Sequence, residues 1–194
     1  FPLLFLTVVC YAKHVSSQER SGPFIVYKAG NGISNGLNYH VCQSGEGFIW
    51  VGTGNGLVKF DGFRYHKILA GSSGITDNLV VDVAEAADGK IWIAGFTSGI
   101  SRFDPETQHF RRYPQIGRSG SDMQQVNKIL TLPDGQVWLG TGNMGLALYE
   151  QPTDTFRFLT PESRVDQSGH LIRDYTVRDM VTDLRDTTML WLVT

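Results

Sequence analysis

The chain has 194 residues, enough for one mid-sized domain, and 41% of them are hydrophobic, the content a soluble globular protein needs to build a core. Lys plus Arg number 17 and Asp plus Glu 19, a formal charge of −2, so no basic excess exists to neutralise a phosphate backbone, which argues against nucleic acid as a partner of this region. The 22 Gly against 7 Pro, with Phe, Tyr and Trp at 11%, suit many short strands joined by tight turns.

The first twelve residues form an uncharged apolar run, about as long as a secretory h-region and too short to span a bilayer, which Lys13 ends. Val15-Ser16-Ser17 and Cys10-Tyr11-Ala12 both place a small residue before a cleavage point, so residues 1–19 read as a signal peptide or the remnant of one. Neither an initiating Met nor a basic n-region precedes them, and bulky Val9 argues against a lipoprotein box at Cys10. Once such a leader is removed Cys42 stands alone, without a partner for an internal disulfide, and reads as a small buried hydrophobe. Residues 23–28 contain Phe24 and Tyr27 in the Phe-x-x-Tyr spacing of Phe110 and Tyr113, an outer-strand sequence standing ahead of any repeat.

From residue 32 onward the chain repeats itself. Gly47-Phe48-Ile49-Trp50-Val51-Gly52-Thr53, Gly89-Lys90-Ile91-Trp92-Ile93-Ala94-Gly95 and Gly135-Gln136-Val137-Trp138-Leu139-Gly140-Thr141 align without gaps, with Trp-to-Trp intervals of 42 and 46 residues. Each Trp is followed 10 or 11 residues later by an aromatic and an acid: Phe60-Asp61, Phe103-Asp104 and Tyr149-Glu150. The repeats fall at about residues 32–70, 74–116, 122–160 and 175–194; the last is cut short and carries Val193 where the others have Gly or Ala.

Turn chemistry divides each repeat into four strands. Glu46-Gly47, Asp88-Gly89 and Asp134-Gly135 supply the positive φ of a tight hairpin, so a first strand pairs with the Trp strand. Second turns at 53–55, 96–98 and 142–144 lead to a third strand. Third turns at Asp61-Gly62, Asp104-Pro105 and Gln151-Pro152 lead to a fourth, carrying Phe63 and Tyr65, Phe110 and Tyr113, or Phe156 and Phe158. Apolar residues on both faces of the Trp strand require a sheet sandwiched between two neighbours. The fold class is therefore all-β, a β-propeller fragment of about three four-stranded blades plus the start of a fourth. In a closed ring, residues 23–28 would be the closing outer strand of a last blade.

The Gly-x-Ile-Trp-Val-Gly-Thr and Gly-Leu-Val-Lys-Phe-Asp-Gly pattern of residues 47–62, with the Gly32-Ile33-Ser34-Asn35 lead-in, resembles the two-component regulator propeller repeat. The likeness runs from about Phe24 to Thr194, departing at Ala94-Gly95 and at Val193. It implies the periplasmic, ligand-sensing region of an inner-membrane hybrid histidine kinase. It also implies a small ligand such as an oligosaccharide from polysaccharide breakdown, and as partners the rest of the propeller, downstream signalling domains and a dimeric full-length protein. No phosphoryl-transfer motif lies in this chain, no catalytic residue is assigned to it, and no cofactor or metal is expected.

Several motifs have plainer readings. Gly52-Thr53-Gly54-Asn55-Gly56 lacks the Lys-Ser/Thr of a P-loop and reads as a strand turn. The five His show no metal-ligand spacing. Asp61 and Asp104 read as turn caps, Arg111-Arg112 as solvated edge charges, and the repeated Trp as packing more than as a sugar-stacking platform. A ligand belongs on the inter-blade and second-to-third-strand loops, which tolerate variation where strands do not: Asn31, Asn35, Thr53, Asn55, Asp77, Asn78, Thr97, Ser98, Asp122, Gln124 and Asn143. A secreted propeller enzyme of lyase type and an intracellular protein-interaction scaffold remain as alternatives, since fold alone does not choose function.

Overall fold

The structure, a computed structural model, describes residues 33, 37–71, 74–113, 125–142, 144–159, 176–183 and 189–194. Residues 1–19 and the 23–28 segment lie outside them. Three four-stranded antiparallel sheets follow one another along the chain. The first is β1 (Asn38–Gln43), β2 (Ile49–Thr53), β3 (Gly56–Phe60) and β4 (Tyr65–Ile68). The second is β5 (Val80–Glu85), β6 (Ile91–Gly95), β7 (Ile100–Asp104) and β8 (His109–Tyr113). The third is β9 (Val126–Thr131), β10 (Val137–Thr141), β11 (Leu146–Glu150) and β12 (Thr155–Leu159). In a fourth, β13 (Asp179–Thr182) pairs with β14 (Leu190–Val193). Strands run in sequence order across every sheet, each a meander, and the first strands β1, β5, β9 and β13 pack on one another as the innermost layer.

Register shows the sheets to be copies. Trp50, Trp92 and Trp138 oppose Cys42, Ala84 and Leu130 on the first strand and Lys59, Arg102 and Leu148 on the third. Trp191 opposes Val181 in the fourth. The first strand of each complete sheet skips one residue, at Tyr39, Val81 and Asn127, a bulge that is itself repeated.

The core lies between blades. Ile91 and Ile93 of β6 join Trp50, Leu57, Val80 and Phe103 on one side, while Trp92 and Ala94 of the same strand join Val126, Leu139 and Ala147 on the other. Every residue of β6 is buried, as a strand covered on both faces must be. Trp50 and Trp92 are each 1% exposed. A side chain of that size contributes roughly 2–3 kcal/mol on burial.

Trp138 is only partly buried and Trp191 is 56% exposed. Rings from the following blade cover Trp50 and Trp92, Phe103 in one case and Tyr149 and Phe156 in the other, with Tyr113 of its own blade also stacked on Trp92. The described part of the fourth blade holds two strands and supplies no such ring over Trp138.

Two sequence expectations change. Phe63 is not in the fourth strand: Asp61 Oδ1 accepts the backbone N–H groups of Phe63 (2.8 Å) and Arg64 (2.6 Å), winding 61–64 into a turn that leaves Phe63 86% exposed, and β4 begins at Tyr65. Arg111 is more than a solvated edge charge, since its Nε reaches Asp154 Oδ2 of the next blade at 2.5 Å.

The departure from Gly-Thr at Ala94-Gly95 also has a cause. In the first and third blades the Thr hydroxyl closes the hairpin, Thr53 Oγ1 donating to Gly56 O (2.7 Å) and Thr141 Oγ1 to Gly145 O (2.9 Å). In the second, a Cβ on Gly95 would stand 2.6 Å from Asp77 Cβ, so only glycine fits and Asp77 holds the loop instead.

Candidate functional site

The turns after the second strands and the chain leading into each next blade meet on one face. Gly54 N donates to Leu37 O (2.9 Å), Gly56 N to Asn78 O (2.6 Å), Phe96 N to Leu79 O (2.9 Å) and Gly142 N to Gln125 O (2.8 Å). The loops are thus stitched to one another by backbone bonds, and the face is preorganised by the sheets beneath it.

Among the candidate residues, Asp77 is the organiser. Its Oδ1 accepts Leu79 N–H (3.0 Å), and its Oδ2 accepts both the backbone N–H (2.9 Å) and the hydroxyl (2.8 Å) of Thr97, which lies 3.2 Å from the Ser98 hydroxyl. Partial burial works to raise its pKa, but these donors outweigh it and hold the carboxyl below its ordinary value. Asn78 Oδ1 accepts Ala70 N–H (2.7 Å), and Asn55 is exposed at the neighbouring turn. Thr53 differs from expectation, because its side chain is buried and its hydroxyl is engaged by Gly56 O and Asn55 N–H, making it part of the turn. Asn31, Asn35, Asp122, Gln124 and Asn143 lie outside the described residues.

Beside these loops is a cavity of about 400 Å³ lined by Val81, Phe96, Gln125, Asn127, Thr176 and Arg178. Val81 and Asn127 are the skipped bulge residues of β5 and β9, side chains that the bulge re-aims. Sequence reading passed over them because alternation assigns them to a strand face; the repeated one-residue slip was the missing signal. The lining combines apolar Val81 and Phe96 with amide, hydroxyl and guanidinium groups capable of hydrogen bonding. Among the described residues no group of three His, Cys, Asp or Glu is placed to hold a metal.

Below this face, the innermost strands carry a belt of polar, ionisable side chains. His40, Asp82, Lys128 and Asp179 occupy the same register in successive blades, opposite Gly52, Ala94, Gly140 and Val193. His40 Nδ1 lies 2.9 Å from Asp82 Oδ1, Lys128 Nζ 3.6 Å from Asp82 Oδ2 and 3.9 Å from Asp179 Oδ1. Asp82 is 1% exposed and also accepts the N–H groups of Val83 (3.0 Å) and Ile129 (2.7 Å), the donors a buried carboxylate requires.

No protein-family model and no curated protein matches the sequence. Among solved structures, the extracellular domain of the hybrid two-component system BT3049 from B. thetaiotaomicron is 25% identical, with a TM-score of 0.67 over 86% of this chain and 23% of that one. The extracellular domain of BT4673 from the same organism is 20% identical, with a TM-score of 0.64 over 87% of this chain and 22% of that one. PorZ, a surface component of the type-IX secretion system of Porphyromonas gingivalis, is 20% identical with a TM-score of 0.54, over 78% of this chain and 22% of that one. The chain therefore spans less than a quarter of each of these three structures. Repeat, register and likeness together make it a β-propeller fragment that matches the two-component regulator propeller region of such extracellular domains.

Proposed function

We propose that the chain is part of the ligand-sensing propeller of a membrane-bound hybrid two-component sensor histidine kinase, facing the periplasm. The observation that carries this is the likeness to the BT3049 extracellular domain, 25% identity over 86% of the chain. The apolar leader fits the same placement. The ligand is a small polar molecule, an oligosaccharide from polysaccharide breakdown fitting the hydrogen-bonding loop face, bound across the Asn55 and Ser98 turns and the bulge cavity that Gln125 and Arg178 line. Histidine-kinase, receiver and further signalling parts belong to the rest of the full-length protein, which passes the binding event across the membrane and acts as a dimer.

Two measurements test this. Asn55 is exposed, so Asn55→Cys in a Cys42→Ser full-length background should react in intact cells with a maleimide that enters the periplasm but does not cross the inner membrane; reaction only after lysis removes the placement. Phosphate incorporation by sealed vesicles should respond to an oligosaccharide hydrolysate supplied on the extracytoplasmic side and not on the other. Response from neither side removes the sensory reading.

A further inference from the structure

The clefts between consecutive blades are built from equivalent positions, and two of them are chemically different. Between the second and third blades, Asp154 turns its carboxylate inward. Its Oδ1 accepts the hydroxyls of Tyr113 (2.5 Å) and Tyr149 (2.6 Å) and lies 3.6 Å from Arg102 Nη1, while its Oδ2 meets Arg111 Nε at 2.5 Å. The Arg102 guanidinium sits 5.3 Å over the Trp92 ring. Cations, phenols and indole are all arranged around one anion.

One blade earlier the anion is gone and the cation is kept. Register places Gln108 at the position of Asp154, and both turn residues have positive φ, 57° and 52°. Ile68 stands for Tyr113, Phe103 for Tyr149, His66 for Arg111 and Lys59 for Arg102. The Gln108 side chain does not fill the place, since its Nε2 donates to Pro105 O at 2.6 Å within its own turn. With two phenol oxygens and a carboxylate missing, a cavity of about 440 Å³ opens, walled by Phe48, Trp50, Ile68, Phe103 and Phe110.

Its polar groups lack an acceptor. Lys59 Nζ lies 3.6 Å from the centre of the Phe48 ring and 5.2 Å from that of Trp50, with no carboxylate within 4 Å among the described residues. The indole N–H of Trp50, a residue 1% exposed, has no hydrogen-bond partner there. Asp61 also lines the cavity, but its Oδ1 is occupied by two backbone N–H groups and its Oδ2 faces His66 Nε2 at 3.5 Å. Both Asp61 oxygens are engaged away from the Lys59 ammonium, which stands without a carboxylate within 4 Å among the described residues. A buried donor without an acceptor is costly, and in the homologous cleft the cation at the Lys59 position, Arg102, has the Asp154 carboxylate 3.6 Å away.

We infer that the cleft between the first and second blades is a binding site for a small organic carboxylate with an apolar body, its carboxylate taking the place that Asp154 occupies one blade later and its body lying among the aromatic walls. The site is separate from the loop face and stands whether or not the sensory reading does.

Calorimetric titration of the full-length protein with phenylacetate and with 2-phenylethanol, its uncharged counterpart, tests it. Phenylacetate should bind at least about tenfold tighter, the difference one charge-assisted hydrogen bond makes. Lys59→Gln should abolish that preference and Lys59→Arg should keep it. Gln108→Asp, at an exposed turn position, supplies the missing carboxylate internally and should weaken phenylacetate at least about fivefold while raising Tm. Equal affinity for the two probes, no binding of either, or an unchanged preference in Lys59→Gln would each overturn the inference.

Discussion

Replacing Trp92 by Ala should destabilise the fold by about 3–5 kcal/mol, because the ring is 1% exposed and packed by Tyr113, Tyr149 and Phe156. The same change at Trp138, only partly buried, should cost clearly less, and chemical denaturation of the two variants measures the difference. Asp82→Ala should be as severe, about 3 kcal/mol or more, since it strips the buried Val83 and Ile129 N–H groups of their side-chain acceptor and takes the nearer carboxylate from Lys128. Asp154 makes a pH-dependent contribution. Burial works to raise its pKa, but the Tyr113 and Tyr149 hydroxyls and the Arg102 and Arg111 charges lower it on balance. A carboxyl with a depressed folded pKa stabilises fully above its unfolded value, near 4, and loses that contribution as pH falls through the lower folded value. The stability gap between wild type and Asp154→Asn should therefore be widest near neutral pH and narrow below about pH 4; a gap independent of pH would contradict this role.

At the scale of strands, the sequence was legible where one residue type recurs at one register. Trp50, Trp92 and Trp138 announce the second strand, and Asp61 and Asp104 cap the turns they precede, each Oδ1 accepting two backbone N–H groups. What escaped were features made by residues from different blades. His40, Asp82, Lys128 and Asp179 stand at one repeated position, and their pairing has meaning only once β1, β5, β9 and β13 are neighbours. Arg111 looked like an edge charge because its partner Asp154 is 43 residues away, inside another repeat's turn. Phe63 was misplaced because its aromatic character suggested a strand, whereas Asp61 had already committed its backbone N–H to the turn. Close packing between blades gives a further test. A Cβ on Gly52 would stand 2.9 Å from Val80 O of the next blade, so Gly52→Ala should destabilise by about 1–3 kcal/mol, with a lowered midpoint and an unchanged slope in denaturant.

For the whole molecule, the loops and the strands divide the work. Strands stack through cores shared between blades, so their residues answer to packing. The loop face is tied by backbone hydrogen bonds at Leu37, Asn78, Leu79 and Gln125. Of the candidate residues, Asn55 and Ser98 keep exposed or half-exposed side chains, Asp77 is spent on the loop itself, and Thr53 is buried. The loops themselves were legible because turn residues mark them. Which of their polar groups are spent on the scaffold was not, since that depends on which atoms the backbone has already claimed.

The most direct test of a sensory loop face is the dose response of ligand-driven phosphorylation in vesicles holding the full-length protein, compared between wild type and an Asn55→Ala, Ser98→Ala, Arg178→Ala triple variant. The account predicts a half-maximal concentration raised at least about fivefold, the loss of about one hydrogen bond's net contribution, with Tm unchanged within a degree or two. A dose response identical to wild type at equal Tm would contradict it.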